Sequence, residues 1–308
     1  MTSRTVTPEQ ADAGVAGRRP RNHVNERYPL WFYAPGGLIY LIFFIVPTVA
    51  SFYFAFTRWT LFESEWIGLQ NFVTFFNEPG LIGSLWNTLV YGFVTSGSKV
   101  VLGMALAVVL SMPVIARGYL RSVTFFPVLL SAVGVGLTFQ VLLDPFNGVV
   151  NKTWHALTGL DGPQWLTNPD IALLSVAGID VWKGLGIATL IYIAGIAAIP
   201  NEYFEAAKVD GASSWQVFRR IILPLSFPAT STVILLSLIG GLRSFDLIWT
   251  TTGGGPGFAS DVIASVIYKQ YQAGFYGLST AGNVILFIVV TAIVYPLNRW
   301  LNSKETDL

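Results

Sequence analysis

The apolar positions of this chain do not recur at the spacing of a one-sided surface helix. They form six long blocks separated by polar segments, near Phe32–Phe56, Leu85–Met112, Ser122–Leu143, Ile171–Ile199, Ala229–Trp249 and Ala281–Leu301. Each block is long enough to cross a hydrocarbon core of roughly 30 Å as a helix of about 20 residues. Several are interrupted by small or helix-breaking residues, as at Pro35-Gly36-Gly37, Pro47 and Gly134–Gly136. Helices packed among other helices tolerate such residues and use the small ones for close approach. The pattern predicts an all-α polytopic bundle of six transmembrane helices in a lipid bilayer. Ahead of it, residues 1–29 are polar and carry Arg4, Arg18, Arg19, Arg21 and Arg27 without an apolar run. They read as a disordered cytoplasmic tail, not as a cleaved signal peptide, which leaves 30–308 as the membrane domain.

Composition supports a membrane protein over a soluble one. Of 308 residues, 53% are hydrophobic and 11% charged, against about 25% charged in an ordinary soluble domain. Much of the surface must therefore face lipid. Cysteine is absent and only His23 and His155 are present, so no disulfide framework, thiolate site or histidine cluster can be built within the chain, and neither metal nor cofactor is expected. A net charge of +1 gives no bulk attraction for nucleic acid.

Orientation follows from the positive residues of the polar segments. The N-terminal segment holds its five arginines. Arg117 and Arg121 follow the second block, Lys208, Arg219 and Arg220 the fourth, and Arg299 and Lys304 the last. The other three loops hold only Arg58, Lys152 and Lys269. Both termini are thus predicted to be cytoplasmic. Trp31, Trp59, Trp86, Trp249 and Trp300 fall at block ends, where an amphipathic indole prefers the headgroup layer.

Enzyme chemistry finds no support. Gly92 and Gly97-Ser98-Lys99 come near a phosphate loop, but Ser98 separates the glycine from Lys99 and the segment lies inside an apolar block. Neither a zinc-protease helix nor a nucleophile elbow occurs. Asn151-Lys152-Thr153 has the form of a glycosylation sequon, a triplet common by chance. Five ionisable residues lie inside the blocks: Lys99, Asp180, Lys183, Arg243 and Asp246. Each costs at least about 2.5–3.5 kcal/mol at mid-bilayer, so they should face protein or water. Asp180 with Lys183, and Arg243 with Asp246, are spaced to neutralise each other along one helix. They either permit insertion or line a polar path. Lys99 has no partner near it in sequence.

The segment between the fourth and fifth blocks reads Glu205-Ala206-Ala207-Lys208-Val209-Asp210-Gly211-Ala212-Ser213, and runs on to Ile221-Ile222-Leu223-Pro224. A short helix over 202–209 after Pro200, a left-handed turn at Gly211 and a second helix from Ser213 to Pro224 are expected. Such a helix–turn–helix is a docking element or a rigid connector.

This segment resembles the EAA motif of binding-protein-dependent ABC importer permeases. Glu205, Ala206, Ala207, Gly211, Ile221, Leu223 and Pro224 stand at the motif's positions. Trp66-Ile67-Gly68-Leu69-Gln70-Asn71-Phe72 and Thr252-Gly253-Gly254-Gly255-Pro256-Gly257 further resemble the carbohydrate branch related to the larger maltose permease. The resemblance implies a type I importer membrane domain in the bacterial or archaeal inner membrane. It implies a second permease subunit sharing the path, two ABC ATPase subunits, and an extracytoplasmic solute-binding protein that delivers a sugar or oligosaccharide. ATP hydrolysis would belong to the partners. The ATPases would dock on the 200–224 loop, at Glu205, Ala206, Ala207, Asp210, Gly211 and Ala212. The substrate path would include Trp182, Lys183, Gly184 and Ile187 in the fourth span and Ser237, Gly240, Gly241 and Ser244 in the fifth. Gly240 and Gly241 depart from the aromatic and amide residues of the maltose branch, which suggests a roomier or differently lined cavity. An anionic cargo such as glycerol phosphate or a uronate stays open, because three intramembrane cations face two anions. A stand-alone secondary transporter would show inverted repeats, and would leave the EAA-like loop unexplained.

Overall fold

The computed structural model describes residues 30–60 and 62–306; the tail at 1–29 lies outside them. The chain divides at Val49 into two compact units. Within the first, helix α1 (Trp31–Phe54) begins and carries a wide π turn at Leu41–Ile45, just ahead of Pro47. Proline brings no N–H to the ladder and its ring crowds the carbonyl one turn back, so a widened turn there relieves both conflicts.

The second unit continues α1 into a hairpin, β1 (Thr57–Trp59) and β2 (Ser64–Trp66), paired antiparallel with Arg58 opposite Glu65. Then come α2 (Gln70–Asn77) and α3 (Pro79–Ser111). Next are α4 (Arg117–Leu129) and α5 (Ala132–Leu142), α6 (Val149–Thr158) and α7 (Ala172–Ala197). Two short helices, α8 (Asn201–Val209) and α9 (Ser214–Leu225), precede α10 (Phe227–Leu242). The chain closes with α11 (Asp246–Thr251), α12 (Ile263–Gln272) and α13 (Tyr276–Thr306). Among the described residues, four helices, α1, α3, α7 and α13, are long and apolar enough to cross a membrane alone, and the number is six if each of two bent pairs is one span.

Helix α3 is the spine, roughly 50 Å long at 1.5 Å per residue. Ser84, Thr88, Tyr91, Thr95 and Lys99 recur at four- and three-residue steps and are all buried, so this helix turns its polar face inward. The Thr88 and Thr95 hydroxyls return hydrogen bonds to the carbonyls of Ser84 and Tyr91 at 2.7 and 2.8 Å. Small residues let neighbours approach: a Cβ on Gly103 would lie 2.9 Å from that of Ala188 on α7, and one on Gly92 would lie 2.7 Å from Leu242 on α10. Gly184 on α7 sits under the Lys99 side chain in the same way.

The structure changes three sequence expectations. The third block is not one helix: α4 and α5 meet at 97°. A 3-10 turn carrying Pro127 ends α4, and Gly186 of α7 packs against the backbone of Thr124 and Phe125, which seats the elbow inside the bundle. The fifth block ends at Leu242 and resumes as α11, whose first turn carries Asp246, where a carboxylate favours the positive helix end. Arg243 and Asp246 therefore do not share a helix and make no ion pair among the described residues. Nor does Asp180 pair with Lys183. It pairs with Lys99 across α3 and α7 at 2.9 Å, both side chains largely buried.

The loop before α13 is also more than a connector. Ile263 and Val266 of α12 pack with Phe75, Leu81 and Ile285. Thr88 Oγ1 accepts from the Ile263 N–H at 2.9 Å. The fully buried Asp261 accepts from Lys269 Nζ at 2.6 Å and from Ser265 Oγ at 2.7 Å.

Removing one member of a buried ion pair typically costs about 3–5 kcal/mol, because the other is left charged and unpaired. Lys99→Met should lower the thermal midpoint of the purified protein. The double variant Lys99→Met, Asp180→Leu should recover most of the loss. An unchanged midpoint in Lys99→Met would show that the pair does not hold α3 to α7.

Candidate functional site

Two regions hold the residues singled out in the sequence. The first is the projecting pair α8 and α9. Pro200 precedes α8, whose first turn carries Glu202. Ala207 is buried, while Glu205, Ala206 and Asp210 are exposed. The helix ends in a Schellman turn: Ala212 N–H donates to Ala207 C=O at 2.9 Å, and Gly211 N–H to Lys208 C=O at 3.2 Å. This closure needs a left-handed residue, and Gly211 has φ +66°. Ser213 then starts α9 with a reciprocal cap: its hydroxyl accepts from Gln216 N–H at 3.3 Å, and Gln216 Oε1 accepts from Ser213 N–H at 2.7 Å. Such a cap contributes about 1 kcal/mol.

The turn is therefore built from its own residues. Nothing lies within 4 Å of a Cβ placed on Gly211, so the tip is open space. Trp215 is exposed and leans on Phe218 with centroids 5.3 Å apart. Beneath the pair, a cavity of about 440 Å³ opens among the ends of α3 and α7, lined by Val108, Arg117, Ile196, Phe204, Phe218 and Ile222.

The second region lies along α3, α7 and α10, and here the expected path residues divide into two groups. Gly184, Ser237, Gly241 and Ser244 face α3. Ser237 and Ser96 share a hydrogen bond of 2.8 Å, and the Ser244 hydroxyl donates to Tyr91 Oη at 3.4 Å. A Cβ on Gly241 would meet Thr95 Oγ1 at 2.6 Å and the Gly92 Cα at 2.9 Å. Gly241 thus closes a helix contact and does not widen a cavity. Gly240 has open space instead.

Trp182 and Ile187 are exposed on α7. Trp182 meets Phe139 of α5 edge-on at 5.4 Å, and the two frame a hollow of about 260 Å³ at the α4–α5 elbow with Leu130, Ser131 and Thr138. Lys183 is half-buried and has no ion-pair partner among the described residues. The accessible candidates are thus Trp182, Lys183, Ile187 and Gly240. Phe139 joins them through the elbow, which the sequence alone does not reveal. The polar partners Tyr91 and Ser96 were legible in principle from the recurrence of polar residues along the second block.

Comparison with known proteins gives a consistent result. The family described as binding-protein-dependent transport system inner membrane component matches residues 99–306. The trehalose/maltose transport system permease protein of Thermococcus litoralis is 31% identical over 261 residues, covering 83% of this chain and 88% of that protein. The arabinooligosaccharides transport system permease protein of Bacillus subtilis is 29% identical, covering 94% and 93%. Among solved structures, a chain of a bacterial ABC transporter involved in the import of the acidic polysaccharide alginate superposes with a TM-score of 0.78 at 27% identity, covering 89% of this chain and 96% of that one.

The two adjacent glycines of α10 offer an internally controlled test. Gly241→Ala forces α3 and α10 apart, an overpacking cost of about 1–3 kcal/mol, whereas Gly240→Ala fills open space. Thermal midpoints of the two purified variants should differ in that order. Equal midpoints would show that the Gly241–Gly92 contact is not tight.

Proposed function

This chain belongs to the family of binding-protein-dependent transport system inner membrane components, and we propose that it forms half of the translocation path of an ATP-driven sugar or oligosaccharide importer. The observation that carries the proposal is the projecting α8–α9 pair. Its exposed Glu205 and Ala206 precede a self-closed turn at Gly211, a rigid and accessible shape suited to a cleft in another protein. In this reading two ABC ATPases dock there, one on each of two permease subunits. Closure of the ATPases moves α8 and α9 as a body and swings the spans, a rigid-body transition. A solute-binding protein delivers cargo at the opposite end, and both termini are cytoplasmic.

Carbohydrate is the proposed cargo class because the relatives with informative names are permeases for trehalose/maltose and arabinooligosaccharides. The exposed Trp182 beside Phe139 is a suitable surface, since sugar sites combine aromatic faces with a few fixed polar groups. Engagement of Lys99 with Asp180 leaves Lys183 as the cation of the fourth span without an ion pair among the described residues. Lys183 keeps an acidic saccharide as the second reading, in line with the alginate importer to which the fold is similar. Lys183→Met separates the two: it should spare uptake of neutral sugars and weaken uptake of uronates.

Two variants test the coupling role. Gly211→Pro cannot reach the left-handed conformation, since proline holds φ near −65°, and Glu205→Lys reverses an exposed charge. Both should remain in the membrane at near-normal abundance, lose co-purification with the ATPase, and lose ATP-dependent uptake. Normal uptake by both would defeat the coupling assignment, and loss of the protein from the membrane would mark the loop as a structural connector. Reporter fusions address orientation: one at Asn201 should report cytoplasm and one at Gly162 the outside. A cytoplasmic signal at Gly162 would overturn the proposed topology.

A further inference from the structure

At the end of the bundle away from α8 and α9, aromatic rings follow one another along the surface. Trp59 of β1 stacks on Phe54 at 4.0 Å and meets Tyr276 at 5.4 Å. Tyr276 meets Tyr271 of α12 at 5.3 Å. One turn back on α12, Tyr268 lies 4.8 Å from Trp249 and 5.4 Å from Phe245. Phe245 sits just beyond α10, five residues after Gly240. The series thus joins the hairpin to the end of a helix whose residues are candidates for the path.

Both ends of the series open into hollows. Between the hairpin, α2 and the start of α13 lies a cleft of about 710 Å³, lined by Trp59 together with Arg58, Gln70, Glu78, Phe258 and Gln270. A second hollow of about 310 Å³ is bounded by Phe245, Tyr268, Tyr271 and Asn283. Part of the cleft's polar lining is already engaged, Arg58 with Glu65 at 3.5 Å and the Asn71 amide with the Ala55 and Thr57 carbonyls, whereas the side chains of Gln70, Glu78 and Gln270 make no hydrogen bond among the described residues. At the cleft wall, the exposed Phe258 holds φ +71°, a left-handed conformation that costs roughly 1–2 kcal/mol in a residue with a β-carbon. Strain of this kind gathers where a side chain must be presented.

Interfacial tryptophan and tyrosine commonly face lipid headgroups. That explains rings, but not a cleft that combines them with a free carboxylate and two free amides beside the paired Arg58 guanidinium. A sugar ring offers C–H faces that stack on aromatic rings and hydroxyls around its edge that bond to amides and carboxylates, which matches this lining.

We propose that the series from Trp59 to Phe245 is an entry track for saccharide, with the Trp59 cleft as its outer subsite, separate from the surface around Trp182 and Gly240. The proposal rests on the carbohydrate reading of the cargo. Sugar released at the outer end would bind in the cleft and move from ring to ring toward α10.

The test uses the complete transporter in lipid nanodiscs with radiolabelled maltotriose, arabinotriose and alginate trisaccharide as probes. Equilibrium binding is measured without the binding protein, and uptake is measured separately in proteoliposomes with it. Trp59→Ala, Tyr271→Ala and Gln270→Ala should each raise the Kd of the transported sugar about threefold to tenfold, the range of a lost aromatic contact for the first two and of a lost hydrogen bond for the third. Tyr271→Phe should stay near wild type, and basal ATPase activity and affinity for the sugar-free binding protein should not change. Wild-type sugar affinity in all three alanine variants would overturn the track and leave a lipid-facing aromatic belt. Lost affinity for the binding protein with unchanged sugar affinity would overturn it in favour of a protein-docking face. Should Trp59→Ala disturb the hairpin, the two α12 variants decide alone. Uptake of none of the sugars by the wild type would overturn the carbohydrate reading itself, and the track with it.

Discussion

The architecture depends on one constraint: a polar group inside an apolar bundle must find its partner there, because lipid offers none. Helix α3 carries Ser84, Thr88, Tyr91, Thr95, Ser96 and Lys99 into the interior. Four of them reach a partner outside the helix. Lys99 draws Asp180 on α7, Ser96 takes Ser237 on α10, Tyr91 accepts from Ser244, and Thr88 receives the first N–H of α12. Three helices, α7, α10 and α12, and the turn after α10 are thereby registered on one helix by polar contacts, while Gly92, Gly103, Gly184 and Gly241 let the backbones come close enough for those contacts to form. Between helices in lipid, packing of small residues and interhelical hydrogen bonds replace the hydrophobic drive that holds soluble bundles.

This arrangement suits a protein that must move without unfolding. The α3–α7 contact, held by an ion pair and a glycine–alanine seam, forms a stiff body. The breaks lie elsewhere, at the 97° elbow between α4 and α5 and at the 67° bend between α9 and α10. The second bend connects directly to the projecting loop, so a force applied to α8 and α9 reaches α10 through one short turn. The elbow carries Phe139 toward Trp182, which sets a candidate cargo surface at a point where the chain already changes direction. Packed cores respond to such a push by switching between discrete arrangements and do not bend continuously.

The loop itself shows how a docking element is made rigid without partners. Its turn is closed by its own backbone hydrogen bonds, its second helix is capped by its own Ser213 and Gln216, and its tip leaves space around Gly211. The exposed side of the loop is consequently free of structural duty, so Glu205, Ala206 and Asp210 are available to a partner.

Much of this was legible in the amino-acid order. Apolar run length marks membrane spans with little ambiguity, so the second, fourth and last spans lie close to where the blocks place them. Local chemistry was equally readable at Pro200, Gly211 and Ser213, because a helix start, a left-handed turn and a cap each depend on neighbours in sequence. Run length says nothing of direction inside a span, and so the elbow at Leu130–Ser131 and the break after Leu242 emerged only from the fold. Partner choice was hidden for a related reason. Spacing alone favoured Asp180 with Lys183, whereas helix packing set Lys99 against Asp180 and left Lys183 without an ion pair among the described residues. Gly240 and Gly241 are identical and adjacent in the sequence, yet one faces open space and the other Thr95 and Gly92. Only the rotation of α10 about its axis, set by its neighbours, decides which is which.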